Sequence, residues 1–253
     1  MNTDGTGFTT LYSFSEVPFG TNSDGAYPSS LILSSNTLYG TTDGGGSSGA
    51  GTVFKLNTDG TGFSMLYTLS ANSVLSYPEN LKTNSDGAEP FGLVLSGNTL
   101  YGFTVGSATG PGRRGTVFKL STDGTGFLML RSFTPGIVPY GEPNNDGAYP
   151  DGLLLSGNTL YGSAGYGGRF GYGTVFSISF LPQVALTPSG PNLILSWPTN
   201  YAGFDYGGYV LQSATNLASP AWTTNSPAPV VVNGQFTVTN PVSGTQQFFR
   251  LSQ

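Results

Sequence analysis

The sequence predicts an all-β chain: a β-propeller-like array of three four-stranded repeats over residues 1–181, then a small β-sandwich over 182–253. Three observations predict it. A set of motifs is written three times, in the same order, at a spacing of about 60 residues. Each copy consists of short aromatic and β-branched runs bounded by Gly, Asn, Asp and Ser, and the i, i+3, i+4 apolar pattern of a helix is missing. The motifs stop after Phe180, and a different strand-and-turn pattern begins. A long fixed period marks a supersecondary unit that buries its apolar face by stacking on copies of itself.

Each copy runs through the same elements in order. Asp-Gly-Thr-Gly-Phe stands at Asp4–Phe8, Asp59–Phe63 and Asp123–Phe127, and leads into an alternating aromatic strand such as Phe63–Leu69. Asp-Gly-Ala-x-Pro stands at Asp24–Pro28, Asp86–Pro90 and Asp146–Pro150, just before an apolar run such as Gly92–Ser96. Asn-Thr-Leu-Tyr-Gly comes next at Asn36–Gly40, Asn98–Gly102 and Asn158–Gly162; Gly97-Asn98 and Gly157-Asn158 supply the positive φ of a tight hairpin. Gly-Thr-Val-Phe at Gly51–Phe54, Gly115–Phe118 and Gly173–Phe176 opens the last strand. Two loops lengthen each copy beyond the usual blade repeat: one after the aromatic strand (15–23, 70–85, 134–145) and one rich in glycine (41–50, 104–114, 163–172).

Four antiparallel strands, repeated, are the blades of a propeller. A parallel β-helix has shorter coils and no internal hairpins. Three blades are too few to close a ring of the usual four to eight, and the chain opens on what reads as the outer strand of a blade. A homo-oligomer is therefore expected, either a dimer that makes six blades or a head-to-tail fibre. In the tail, Val184–Thr187, Asn192–Trp197, Tyr209–Gln212, Val230–Val232, Gln235–Thr239 and Gln247–Leu251 read as strands, with Trp197 as a core residue.

Composition narrows the function. Charged residues make up only 8%, so Ser, Thr, Asn and Gly must keep the surface wet, which suits an exported protein. Histidine and cysteine are both absent, which removes the commonest general base, the commonest zinc ligand and any disulfide. A net charge of −5 with scattered cations argues against nucleic acid. No run approaches the roughly 20 apolar residues of a membrane helix. The first residues carry no signal-peptide pattern, and the chain opens inside a repeat, so a mature or truncated form of a secreted or cell-surface protein is expected.

The motifs Leu-x-Leu-Ser-Gly-Asn-Thr-Leu-Tyr-Gly and Gly-Thr-Val-Phe-Lys-Leu, separated by a glycine loop, resemble the GloVer tandem repeat of bacterial choice-of-anchor proteins over about residues 2–180. The third copy departs, with Ser177–Phe180 where the other copies have Lys-Leu-Asn or Lys-Leu-Ser. The resemblance implies export and surface attachment, and it implies no catalytic residue. The tail, with Leu-Ser-Trp, a Tyr-Val-Leu strand and Phe-Phe-Arg-Leu, loosely resembles a fibronectin type III domain, a module that serves as spacer or adhesive unit.

The repeat also singles out candidate sites. Asp4, Asp59 and Asp123 read as turn residues whose carboxylates bond nearby backbone. Asp24, Asp86 and Asp146 read the same way first; because the repeat places them equivalently, calcium is the alternative, and no cofactor is otherwise expected. The glycine-rich segments lack the Gly-Lys-Ser/Thr ending of a phosphate loop and read as surface loops. They differ most between copies, and Arg113, Arg114, Tyr166, Arg169, Phe170 and Tyr172 fall in them as candidate binding residues, with a glycan as the expected ligand. Tyr39, Tyr101 and Tyr161 read as blade packing. For catalysis, Glu16, Glu79, Glu89 and Glu142 are available carboxylates, but none recurs in all three copies, so no catalytic residue is assigned. The expected function is a non-catalytic structural or adhesive module that self-associates or binds glycan. The alternative is a carbohydrate-active enzyme with carboxylates at a propeller funnel.

Overall fold

The computed structural model describes residues 6–71, 73–75, 81–106, 114–134, 143–242 and 246–253; for 73–75 and 81–83 it describes the backbone only. The regular elements among the described residues are strands, apart from a three-residue 3₁₀ turn at Pro18–Gly20. Among the described residues no helix is long and apolar enough to cross a membrane. The chain divides into two compact units, Met1–Ile178 and Ser179–Gln253.

In the first unit, β1 (Ala26–Ser34), β2 (Thr37–Gly44), β3 (Thr52–Asn57) and β4 (Ser64–Thr68) form one antiparallel sheet in chain order. After a small hairpin of β5 (Ser73–Leu75) and β6 (Leu81–Thr83), the pattern returns in β7 (Pro90–Ser96), β8 (Thr99–Thr104), β9 (Thr116–Ser121) and β10 (Leu128–Ser132). The third sheet holds β11 (Ala148–Ser156), β12 (Thr159–Tyr166) and β13 (Thr174–Ser179). Registers correspond: Leu31, Leu93 and Leu153 lie opposite Gly40, Gly102 and Gly162. All three first strands carry an irregularity, after Pro28 and Pro150 in the first and third sheets and one residue later, after Phe91, in the second.

The sheets differ from the sequence expectation in which copy owns the aromatic strand: it completes the preceding sheet instead of opening its own, and Phe8–Ser15 belongs to no sheet. The third sheet has three strands, not four. The reason lies in the turns. Asp-Gly-Thr-Gly is a tight connection: Asn57 N–H donates to Thr61 O, and Asp59 Oδ1 accepts from Thr61 N–H and Oγ1 at 2.9 and 2.7 Å. Asp123 and Thr125 repeat it. Such a turn folds the aromatic strand back onto the strand before it, so Ser64–Thr68 completes the first sheet and Leu128–Ser132 the second. No Asp-Gly-Thr-Gly follows β13, and none turns the chain back.

Two glycines recur because side chains would not fit. A Cβ on Gly40, Gly102 or Gly162 would lie 2.2–2.5 Å from the ring tip of Phe54, Phe118 or Phe176, so that ring lies flat across the neighbouring strand. Gly51 and Gly115 (φ +93° and +83°) let the chain approach Pro90 and Pro150 of the next sheet. The core between the first two sheets joins Val53 of one to Leu93, Leu100, Phe118 and Leu120 of the other, with Ile32, Tyr39 and Tyr67 packed around them. Burying each such side chain stabilises by roughly 1.5–3 kcal/mol.

The second unit has a sheet ordered β14 (Ala185–Ser189), β15 (Asn192–Pro198), β21 (Gln235–Pro241), β20 (Val230–Val232). A second sheet is ordered β19 (Thr223–Thr224), β18 (Val210–Ala214), β22 (Phe248–Ser252), and β16 (Asn200–Tyr201) pairs with β17 (Phe204–Asp205). Leu195, Trp197, Leu211 and Val238 are buried, an arrangement compatible with a small sandwich. Trp222 lies against the Arg250 guanidinium, 4.4 Å from ring centroid to Cζ.

Candidate functional site

The side chains that the repeat places together form a junction between one sheet and the next. Asp24, in the turn before β1, accepts from Tyr12 Oη at 2.9 Å, from the Ser15 N–H at 2.9 Å and from Ser15 Oγ. Asp86, before β7, accepts from Tyr67 Oη at 2.9 Å, from the Ser70 N–H and from Ser70 Oγ. Asp146, before β11, accepts from the Arg131 guanidinium and from Thr134 N–H and Oγ1. For Asp86 and Asp146 the donors come from the last strand of the preceding sheet and the residues just after it; for Asp24 they come from the matching segment Phe8–Ser15, which belongs to no sheet; each acceptor opens the sheet that follows. Beside each carboxylate, Asn22, Asn84 or Asn144 accepts from Gly25, Gly87 or Gly147 N–H at 2.7–3.0 Å and holds the turn.

These bonds set the electrostatics. Burial alone pushes the Asp24 carboxyl up, but the bonds from Ser15 and Tyr12 outweigh it and hold it below its ordinary value. Burial, with the Asp24 carboxylate beside it, raises the Tyr12 phenol to about 12. Burial and Asp86 raise the Tyr67 phenol in the same way. Bonds donated by Thr125 lower Asp123 to about 2, and those from Thr61 lower Asp59.

A ring extends the first two junctions. Tyr12 stacks on Phe63 at 4.0 Å and 4°, and Tyr67 on Phe127 at 4.2 Å and 4°. Phe63 and Phe127 also stack on Phe54 and Phe118 at 5.6 and 5.4 Å. The sequence signal for these partners is present but easily missed: Tyr-x-x-Ser recurs in step with Asp at Tyr12–Ser15 and Tyr67–Ser70, and becomes Arg131–Thr134 in the third copy.

The three carboxylates expected as calcium candidates are thus acceptors of internal bonds, and among the described residues no group of three or more His, Cys, Asp or Glu gathers to hold a metal. The expected loop residues separate. Arg113 lies outside the described residues. Arg114 is buried rather than displayed, with Nε lacking a hydrogen-bond partner, because it holds the position of buried Ala50 between two sheets. Tyr166 is the last residue of β12, opposite Ala148, not a loop residue, and packs edge-on against Tyr149. Arg169, Phe170 and Tyr172 remain on a loop; Phe170 and Tyr172 are exposed, and Arg169 lies over the Phe170 ring at 5.2 Å. The glycine-rich segments begin inside the sheet, not at the surface: Thr41, Thr42 and Thr104 are buried, and Thr42 and Thr104 bond Thr52 and Thr116 at 2.9 Å. Glu79 and Glu142 lie outside the described residues. Tyr101 is buried, Tyr39 borders the core and Tyr161 is exposed.

A groove of about 410 Å³ lies between Arg131, Phe133 and Asp146 on one side and Val175, Phe176 and Ile178 on the other. A second cavity, of about 640 Å³, lies in the other unit among Leu181, Leu186, Tyr209, Phe249 and Leu251. Neither brings two carboxylates together.

No family model and no curated protein matches the chain. Among solved structures, a chain of the crystal structure of a nidogen/laminin complex is similar at 17% identity and a TM-score of 0.35, over 66% of this chain and 54% of that one. This chain spans about half the length of that relative, and a likeness of this size carries no argument about fold or function.

Proposed function

We propose that the chain is a non-catalytic structural or adhesive module of a secreted or cell-surface protein of the GloVer repeat type. In this reading the three sheets are blades of an open propeller-like arc, and the second unit is a fibronectin-like spacer. One observation carries it: the polar side chains that recur with the repeat are bonded from one sheet to the next. Asp86 and Asp146 hold the last strand of the preceding sheet, Asp24 holds the matching segment Phe8–Ser15, and Tyr12 and Tyr67 bridge carboxylate and ring. Their chemistry is that of a stacked scaffold, with donors matched to acceptors inside the protein.

A glycan is the ligand class that the exposed Arg169, Phe170 and Tyr172 suit, since flat aromatic faces beside a cation stack on sugar rings. The test is a glycan array with the full chain and with Phe170→Ala and Tyr172→Ala, run beside a hydrolase panel. Binding lost in both variants, without turnover, is the expected result. Turnover of any glycan would overturn the non-catalytic reading.

A further inference from the structure

The first and last sheets of the array each lack what the other carries. In the first two sheets a phenylalanine fills the space beside the junction: Phe63 between Tyr12 and Phe54, Phe127 between Tyr67 and Phe118. In the third, Arg131 and Phe176 hold the corresponding positions and the space between them is the open groove. β3 pairs β4 and β9 pairs β10, whereas no strand among the described residues pairs the outer edge of β13.

The missing piece is written at the other end of the chain. Phe8–Ser15 repeats the pattern of Phe63–Ser70 and Phe127–Thr134, yet belongs to no sheet. It already sits against the first sheet as β4 sits against the second: Tyr12 and Ser15 bind Asp24 as Tyr67 and Ser70 bind Asp86, and Leu11 meets Gly60 as Leu66 meets Gly124. Phe8, the counterpart of Phe63 and Phe127, is 79% exposed.

We propose that the groove between β10 and β13 takes residues 8–13 of a second copy, with Phe8 seated between Arg131 and Phe176, so that copies join head to tail. The proposal rests on the scaffold reading above and names its partner. The existing registers transfer directly: Val53 lies opposite Tyr67 and Val117 opposite Arg131, so Val175 lies opposite Tyr12 of the second copy, and Ser177 opposite Thr9. Arg131 then meets the face of Phe8 where Tyr12 and Tyr67 meet their own rings, a cation over an aromatic face.

Two further contacts come with the same placement. The carbonyls of Ala50 and Arg114 accept from the Glu89 and Tyr149 N–H groups of the next sheet at 2.9 and 3.0 Å. Their counterparts, the Tyr172 carbonyl and the Tyr27 N–H, belong to residues exposed at opposite ends, and Tyr27 shares the positive φ of Glu89 and Tyr149. The exposed Leu31 and Leu33 correspond to Leu93 and Leu95, which pack on the first sheet; Leu154 and Tyr161 correspond to their partners Ile32 and Tyr39. Addition of a strand to an open sheet edge is an established route to association, and contact between unlike ends builds rings or fibres.

Light scattering of the full chain over rising concentration is the first measurement. A dimer or a growing series is expected, weakened at least tenfold by Phe8→Asp and by Val175→Lys, and unchanged by Leu186→Lys on the other unit. Because the chain has no cysteine, Thr9→Cys combined with Ser177→Cys reports the register: species of two or more chains on a non-reducing gel are expected. A monomer at every concentration, a disulfide closed within one chain, or association broken only by Leu186→Lys would overturn the proposal. Those outcomes leave the non-catalytic reading intact, whereas glycan turnover would overturn that reading and leave the assembly untouched.

Discussion

The second and third sheets carry nearly the same sentence and meet different surroundings. Val117 is fully buried in one, and Val175, at the same register position, is 84% exposed in the other. Tyr101 is fully buried and Tyr161 is 42% exposed. Among the described residues of the first unit, the second sheet packs against both the first and the third, and the third packs against the second alone. Within a stacked array a residue's burial is therefore a property of its rank in the stack as much as of its strand.

The sharpest way to break this comparison is one substitution made twice. Val117→Asp should cost more than about 4 kcal/mol, since it buries an unpaired carboxylate. Val175→Asp should stay within about 0.5 kcal/mol. Urea unfolding, at concentrations below any association, measures both; equal losses would show that the third sheet is covered as fully as the second. Gly102→Ala forces a Cβ into the Phe118 ring and should cost about 1–3 kcal/mol. Gly162→Ala meets Phe176, whose ring borders the open groove and can yield, so thermal unfolding should register a smaller loss.

The junctions allow a finer test. Tyr67→Phe removes a phenol from a carboxylate that keeps its Ser70 donors, and should cost about 1 kcal/mol. Arg131→Ala breaks a half-exposed ion pair and should cost less, because water screens it. The Asp24 junction and the Asp-Gly-Thr-Gly turn together set a pH dependence. The lowered carboxyls of Asp24 and Asp123 contribute stability above their ordinary value of 3.8, and it is lost as pH falls through their folded values, about 2 for Asp123. The raised Tyr12 phenol contributes below 10, and its share is lost as pH rises toward about 12. Melting temperatures across that range should therefore fall at both ends; a profile flat from neutrality down to pH 2 would contradict the acid half. The smallest effect is expected at the first hairpin, where Ser35 holds φ +52° and its counterparts are Gly97 and Gly157. Ser35→Gly should gain roughly 0.5 kcal/mol, the relief of a left-handed residue less the entropy of glycine.

Much of the first unit was legible in the sequence. Val, Phe, Tyr and Leu runs bounded by Asn and Gly mark strands, and the Asp-Gly-Thr-Gly turn was read correctly because Asp bonds backbone two residues on, a local event. The junction was only half legible. Asp24, Asp86 and Asp146 stood out as recurring carboxylates, but their donors, 9–19 residues away across a loop, required the fold to bring them together. Arg114 was not legible for the same reason: two adjacent arginines in a glycine-rich stretch read as a displayed loop, whereas the second is buried just before β9 and its carbonyl accepts from the Tyr149 N–H of the next sheet.

The chain by itself determined what is periodic and short-range. It set the strand order, the hairpins and turns, and the glycines over which Phe54, Phe118 and Phe176 lie. These are dictated by steric limits and hydrogen bonds within a few residues, or across one strand pair. Only the tertiary structure decided which sheet owns each aromatic strand, which two of three equivalent valines are buried, and that Asp86 bonds the preceding sheet's tyrosine and serine. Those depend on how many neighbours a sheet has, and three near-identical copies of a motif cannot carry that number.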